Sequence, residues 1–231
     1  MEAEAGAQEG VMRGAGRIVA LQPDPAHDAH YLVICEHGEP LSVHEDVIVG
    51  LELRPGVLLT DAVVGAIARE QEASEAFHKA LKLLSVRARS RSQLAAALQK
   101  RTKAGIPRFS PEAVEAALGK LENLGLLNDE TYAQDLAHSL IRRKGLGRPG
   151  LRHQLRARGI AADVVERVVE DSLEGSDETQ RAVEALRKRL GRWQGLPAAE
   201  RRAKAYQYLA RLGFESDVIH DALVVALEEE D

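Results

Sequence analysis

Two stretches of this chain, LRARGIAADVVERVV from Leu155 and LARLGFESDVIHDAL from Leu209, repeat one another 54 residues apart. The matched pairs are Leu155 with Leu209, Gly159 with Gly213, Asp163 with Asp217 and Val164 with Val218. In both, a leucine precedes a glycine suited to end a helix, and Asp-Val then opens a run of apolar residues at helical spacing. A unit that recurs in this way is a short helical bundle, which buries its apolar stripe against itself and its neighbours. This fixes the architecture expected for most of the chain: from residue 76 onward it reads as helix.

The helix boundaries follow from capping chemistry. A first set of three helices is expected over 76–127. Ala76, Ala80, Leu81 and Leu84 form one buried stripe, Ser90 or Ser92 caps the helix that buries Leu94 and Leu98, and Ser110 with Pro111 opens a third helix that ends at Gly125. The second set, 128–174, begins at Asn128 as cap and buries Tyr132, Ala133, Leu136, Leu140 and Ile141. It continues through Leu151 and Leu155 to Gly159, and closes with Val165, Val168, Val169 and Leu173. The third set spans 177–228. Three tandem three-helix repeats of this kind predict an elongated, bendable arc.

The N-terminal third differs. Residues 1–15 are rich in Ala, Gly and Glu and are expected to be a disordered tail. Over 16–75 the β-branched runs GRIVALQ and HYLVICEHGEPLSVHEDVIV predict two or three strands with a turn at Gly38 to Pro40. A Pro55-Gly56 turn then leads to a helix capped by Thr60 or Asp61. The fold class is therefore mainly α, with a small β-containing N-terminal domain. Aromatic residues make up 3% of the chain, so its cores must be built from Leu, Val and Ala.

The net charge of −5 hides an asymmetry. Residues 1–75 carry 4 basic and 14 acidic side chains, residues 76–170 carry 18 and 9, and residues 171–231 carry 9 and 13. Clustered cations gain affinity for a polyanion by displacing its counterions, so the basic middle is the place to look for a polyanion-facing surface.

The segment RRKGLGRPGLRHQLRARGI contains Gly145-x-Gly147-x-x-Gly150, the spacing of a dinucleotide fingerprint. That motif needs a preceding strand, and the element before Gly145 reads as an amphipathic helix. No Gly-Lys-Ser/Thr is present there either. The glycines are instead expected to form a hinge between basic helices, with Gly145 as a left-handed cap, Gly147 permitting the turn and Pro149 opening the next helix. Arg142, Arg143 and Lys144 occupy a helix C-terminus, which favours cations by about 0.3–1 kcal/mol each. Arg148, Arg152 and Arg156 recur every four residues with no local carboxylate partners and, with Arg158, predict an anion-contacting row. The only aromatics in this basic region are Phe77, Phe109 and Tyr132, and Tyr132 is expected to be buried. Base stacking and sequence-specific readout are therefore not expected.

No enzyme chemistry is apparent. His27, His30, Cys35 and His37 fit no closed zinc spacing, and His44, Glu45 and Asp46 read as a loop at a strand end. No metal, cofactor or catalytic residue is expected. There is no apolar run long enough to span a membrane and no secretory signal, and the single cysteine cannot form an internal disulfide; these features point to a cytoplasmic protein.

ALKLLSVRARSRSQLAAALQKR, VEAALGKLENLGLLNDETYAQDLAHSLIRRKGLG and LRHQLRARGI together resemble the RecX family of bacterial recombination regulators. The resemblance is carried by Ala80, Leu81, Leu84, Arg87, Ser90, Leu94 and Leu98; by Leu121, Gly125, Leu126, Asp129, Tyr132, Ala133 and Arg142; and by Gly145, Gly147, Leu155, Gly159 and Ile160. It covers 76–173 well and thins over the third repeat. Three departures stand out: Asn128 where the family usually carries an acid, Pro149-Gly150 in place of a more polar pair, and the insertion Gly105 to Phe109. The resemblance implies a negative regulator that binds the RecA recombinase and its filament on single-stranded DNA, restraining ATP hydrolysis, strand exchange and co-protease activity; the protein itself is expected to be a monomer. Double-stranded DNA is a further candidate partner. The contact residues expected on this basis are Arg87, Arg89, Arg91, Arg142, Arg143, Lys144, Arg148, Arg152, Arg156 and Arg158. The alternative is a helical-repeat protein that competes for the DNA strand without touching the recombinase.

Overall fold

A computed structural model describes residues 15–228. The tail expected over residues 1–15 lies, apart from Ala15, outside the described residues. The chain forms two compact units, Met1–Leu83 with Leu98–Leu121, and Leu84–Ala97 with Glu122–Asp231.

The first unit contains a four-stranded antiparallel sheet in the order β3-β2-β1-β4, built from β1 (Ala15–Pro23), β2 (His30–His37), β3 (Leu41–His44) and the two-residue β4 (Leu58–Leu59). Ile18, Val33 and Val43 bring its apolar face onto Val47 of α1 (Glu45–Gly50) and Ile67 of α2 (Asp61–Val86). The expected turn at Gly38 is present, with Gly38 at φ 85°. Two features went unread in the sequence: β4, too short to alternate, and α1, which starts where a loop was expected.

The residues after Asp61 and the stripe from Ala76 belong to one continuous helix of 26 residues, α2, opened by the Thr60 hydroxyl, which accepts the Val63 N–H at 3.3 Å. Glu72 on this helix accepts from the Ser110 N–H at 2.6 Å and from the Ser110 hydroxyl at 2.7 Å. It thereby fixes the start of α4 (Pro111–Asn123). The insertion before Ser110 closes on itself, Thr102 N–H donating to the Ile106 carbonyl at 2.8 Å and Arg101 to the Gly105 carbonyl at 2.6 Å.

Asp24 braces the sheet at the β1–β2 turn. Its carboxylate accepts from the Ser42 hydroxyl at 2.6 Å, from the Ala26 N–H at 2.9 Å and from His27 at 3.0 Å, and these donors hold its pKa down to about 2. A carboxyl held below its unfolded value of about 3.9 adds stability above that pH and loses it as the pH falls through the folded value. The first unit is therefore expected to lose stability between about pH 4 and pH 2. Asp24→Asn should remove that portion of the acid transition, as followed by circular dichroism.

The second unit holds most of α3 (Arg91–Leu98) and two three-helix sets. The first comprises α5 (Asp129–Lys144), α6 (Arg148–Arg156) and α7 (Ala162–Leu173); the second comprises α8 (Glu178–Leu190), α9 (Ala198–Leu212) and α10 (Ser216–Glu228). Ser90 caps α3, accepting the Gln93 N–H at 3.1 Å, and its hydroxyl donates to the Arg158 carbonyl at 2.5 Å. The repeat seen in sequence is also a repeat of backbone. Gly159 and Gly213 take φ 73° and 75°, and Asp163 and Asp217 each stand in the first turn of the helix that follows. Val165, Val168 and Val169 pack with Leu151 and Leu155 in one core, while Leu186, Leu209, Ile219 and Leu223 pack in the next.

Aromatic burial reverses the expectation. Phe77 and Phe109 are buried, whereas Tyr132 is only half-buried at the edge of the α5–α7 core, as are Leu136 and Ile141. Truncating Tyr132 therefore removes only part of the roughly 3–5 kcal/mol that a fully buried aromatic contributes.

Candidate functional site

Helix α5 delivers three cations to its own end. Asn128 starts it, its Oδ1 accepting the Glu130 and Thr131 N–H groups at 2.9 and 3.1 Å. Gly145 stops it at φ 63°, ψ 45°, donating to the Ile141 carbonyl at 2.9 Å. Ala133, Ala137 and Leu140 face inward, which leaves Arg142, Arg143 and Lys144 exposed in the last turn. Among the described residues no carboxylate forms an ion pair with any of the three. Their charge is therefore available to an outside anion, and the helix end favours keeping them charged.

The same three line a cavity of about 300 Å³ together with Arg181, Glu184 and Lys188 of α8 and Tyr208 of α9. Arg181 is half-buried, and loss of water pulls its pKa below the usual guanidinium range. One of its terminal nitrogens donates to the Leu146 carbonyl, while Nη1 is buried with no hydrogen-bond partner among the described residues. A buried donor without an acceptor costs about 1–3 kcal/mol or more for a charged group, so an oxygen ligand reaching this nitrogen would be favoured. The sequence reading missed Arg181 and Lys188. The basic run at the end of α8 was legible, but which of its residues turn toward α5 depends on how the two repeats pack.

The α6 row stands corrected. Arg148 Nη1 meets Glu170 at 2.7 Å and its Nε meets Glu178 at 3.4 Å. Arg152 Nε meets Glu166 at 2.7 Å, and Arg156 Nη2 reaches the other oxygen of Glu166 at 2.7 Å. Glu166 is held below the usual carboxylate range by Arg152 first and Arg156 second. No carboxylate lies one helical turn away in the sequence of α6 itself, yet α7 packs alongside and supplies Glu166 and Glu170. The row is largely neutralised within the fold.

The remaining candidates divide. Arg91 is engaged twice, its backbone N–H on Asp129 Oδ1 at 2.7 Å and its Nε on Glu122 at 2.9 Å, so it ties α3 to its surroundings. Arg87 is exposed, and Arg89 and Arg158 are half-buried.

The glycines after α5 form a joint instead of a hinge. Gly147 has φ −74° and ψ 170°, ordinary extended backbone, so the turn does not need a glycine. What needs it is proximity: Gly147 N–H donates to the Leu212 carbonyl at 3.1 Å and Gly150 N–H to the Gly213 carbonyl at 3.2 Å. A side chain at Gly147 or Gly150 would collide with the backbone at the end of α9. The fingerprint-like spacing therefore records a backbone-to-backbone seam between repeats, with no phosphate cradle.

Residues 128–169 match the description of the second three-helix domain of RecX, and residues 176–223 that of the third. A regulatory protein RecX from Chlorobaculum tepidum is 31% identical over 163 residues, covering 70% of this chain and 94% of that protein. The chain belongs to the RecX family. RecX from Bacillus subtilis is 31% identical over 182 residues, covering 79% of this chain and 66% of that protein, and RecX from Deinococcus radiodurans is 32% identical over 156 residues, covering 67% and 70%. The fold is shared with a crystal structure of a regulatory protein RecX at a TM-score of 0.72 and 24% identity, covering 90% of this chain and 98% of that one. RecX from Lactobacillus salivarius has a TM-score of 0.57 at 22% identity, covering 68% and 97%. Membership in RecX makes the chain a regulatory protein. Among its described residues, no helix is long and apolar enough to cross a membrane.

Proposed function

We propose that this RecX-family protein is a negative regulator of the RecA recombinase. It binds RecA and the filament RecA forms on single-stranded DNA, and it restrains ATP hydrolysis, strand exchange and co-protease activity. The observation that carries the reading is the cluster of Arg142, Arg143 and Lys144, exposed and without carboxylate partners among the described residues, on a chain whose family consists of regulatory proteins. Its neighbour Arg181 adds a buried donor that lacks an acceptor among the described residues. The anion met there is a DNA phosphate or an acidic patch of the recombinase. The α6 row contributes at second rank, since Glu166, Glu170 and Glu178 already offset it.

Salt separates this reading from simple competition for the strand. Binding to bare single-stranded DNA through three phosphates loses affinity with a slope of about −0.7 per contact in log salt. RecA inhibition that persists at salt concentrations where the protein no longer binds bare DNA supports filament recognition. Inhibition that falls in step with DNA affinity would instead make the protein a competitor for the strand.

A further inference from the structure

The first unit gathers histidines that the regulatory reading does not use. β3 ends at His44, Asp46 lies in the first turn of α1, and α2 carries His78 past them. Each of the three offers one ligand atom within 4.8 Å of the other two. Local bonds hold the side chains in place. His44 caps α1, its Nδ1 accepting the Asp46 N–H at 3.2 Å and standing 3.7 Å from Asp46 Oδ2, so a metal bound at this nitrogen would take the place of the cap hydrogen bond. His78 Nδ1 lies 2.9 Å from the Ser74 carbonyl one turn back. A carbonyl only accepts, so in the neutral ring Nδ1 carries the proton and Nε2 keeps its lone pair, the arrangement of a metal-binding imidazole oriented by an outer partner. His30 is held in the same way, with Nδ1 2.8 Å from the Asp28 carbonyl, and its ring stands 5.0 Å from that of His44.

We propose that His44, Asp46 and His78 form a binding site for a divalent transition metal, of the class of Zn²⁺, Co²⁺ or Ni²⁺, with the ring of His30 beside it. Two imidazoles and a carboxylate are a donor set for such ions and a poor one for Mg²⁺ or Ca²⁺, which take oxygen. The cavity in front of His30, His44 and His78, about 600 Å³, carries both signs of charge on its wall, Asp28 and Glu75 beside Lys79, Lys82 and Arg108. The choice of ion therefore rests on the imidazole lone pairs, which suit a borderline-soft ion, and not on the charge of the wall. Three protein donors in an open cavity leave a coordination position to water. The sequence offered His27, His30, Cys35 and His37 as the nearest thing to a metal set. Of these only His30 adjoins the cluster, because His78 arrives from a helix that sequence spacing could not connect to β3. The proposal does not depend on the RecA reading.

Cobalt tests it on the full-length, tag-free protein. Titration with Co²⁺ is expected to raise visible ligand-field bands that saturate near one equivalent and are displaced by Zn²⁺. His78→Gln, at an exposed position on α2, should weaken binding by more than the roughly 10–100-fold that loss of an outer partner costs. His138→Gln, exposed on α5, should leave binding unchanged. Bands that fail to saturate, or that are the same in His78→Gln, would overturn the site. Should His78→Gln misfold, the wild-type protein still decides. Co²⁺ must broaden the ring resonances of His44 and His78 ahead of those of His138, and equal broadening of all three refutes the proposal.

Discussion

Replacing Gly213 with alanine is expected to destabilise the second unit by about 2–5 kcal/mol, measured by chemical denaturation. Two costs add. Gly213 has φ 75°, a region that costs a residue with a Cβ roughly 1–2 kcal/mol. A Cβ there would also fall on the backbone nitrogen and Cα of Gly150, and overpacking of that kind costs about 1–3 kcal/mol. The neighbouring atoms are main chain held by the Gly147–Leu212 and Gly150–Gly213 hydrogen bonds, so no flexible side chain can yield. Gly125→Ala supplies the control. Gly125 has a similar φ of 68° but nothing within 4 Å of where its Cβ would stand, so only the conformational cost applies. Equal effects from the two variants would mean that the seam between repeats contributes nothing.

The second large effect is on binding. Arg142→Ala, Arg143→Ala and Lys144→Ala combined should lower affinity for the RecA filament by roughly 10- to 100-fold at physiological salt and flatten the salt dependence of single-stranded DNA binding by about 2 in log–log slope, if the three cations each meet a phosphate. Thermal stability should hardly move, because all three side chains are exposed and lack ion-pair partners among the described residues. Arg152→Ala with Arg156→Ala is the comparison. These side chains already neutralise Glu166, so their loss should reduce filament affinity less than the triple change. The opposite ranking would return the contact surface to α6.

The contrast between these two sets of arginines shows where sequence reasoning reaches its limit. Helix ends were legible because capping is local: Asn128, Ser90, Ser110, Gly145 and Gly213 act on backbone groups within a few residues of themselves. The repeat was legible because its glycine and Asp-Val recur at a fixed distance. Whether a cation is paired is a different matter, decided by the helix that packs beside it. Arg148, Arg152 and Arg156 find Glu170, Glu178 and Glu166 only after α7 and α8 are in place. The same holds for Gly147 and Gly150, whose spacing suggested a turn and whose reason for being glycine lies in α9, and for Arg181, whose partly unsatisfied guanidinium is a product of burial. The ring of Tyr132 fell on the apolar stripe by spacing, yet it lies at the rim, where helical periodicity does not distinguish centre from edge.

The most direct test of the central claim is the rate of ATP hydrolysis by RecA on single-stranded DNA as this protein is titrated well below one molecule per recombinase monomer. The account predicts inhibition at that ratio, lost in the Arg142, Arg143 and Lys144 triple variant. Hydrolysis that stays unchanged until the protein is abundant enough to coat the DNA would contradict it.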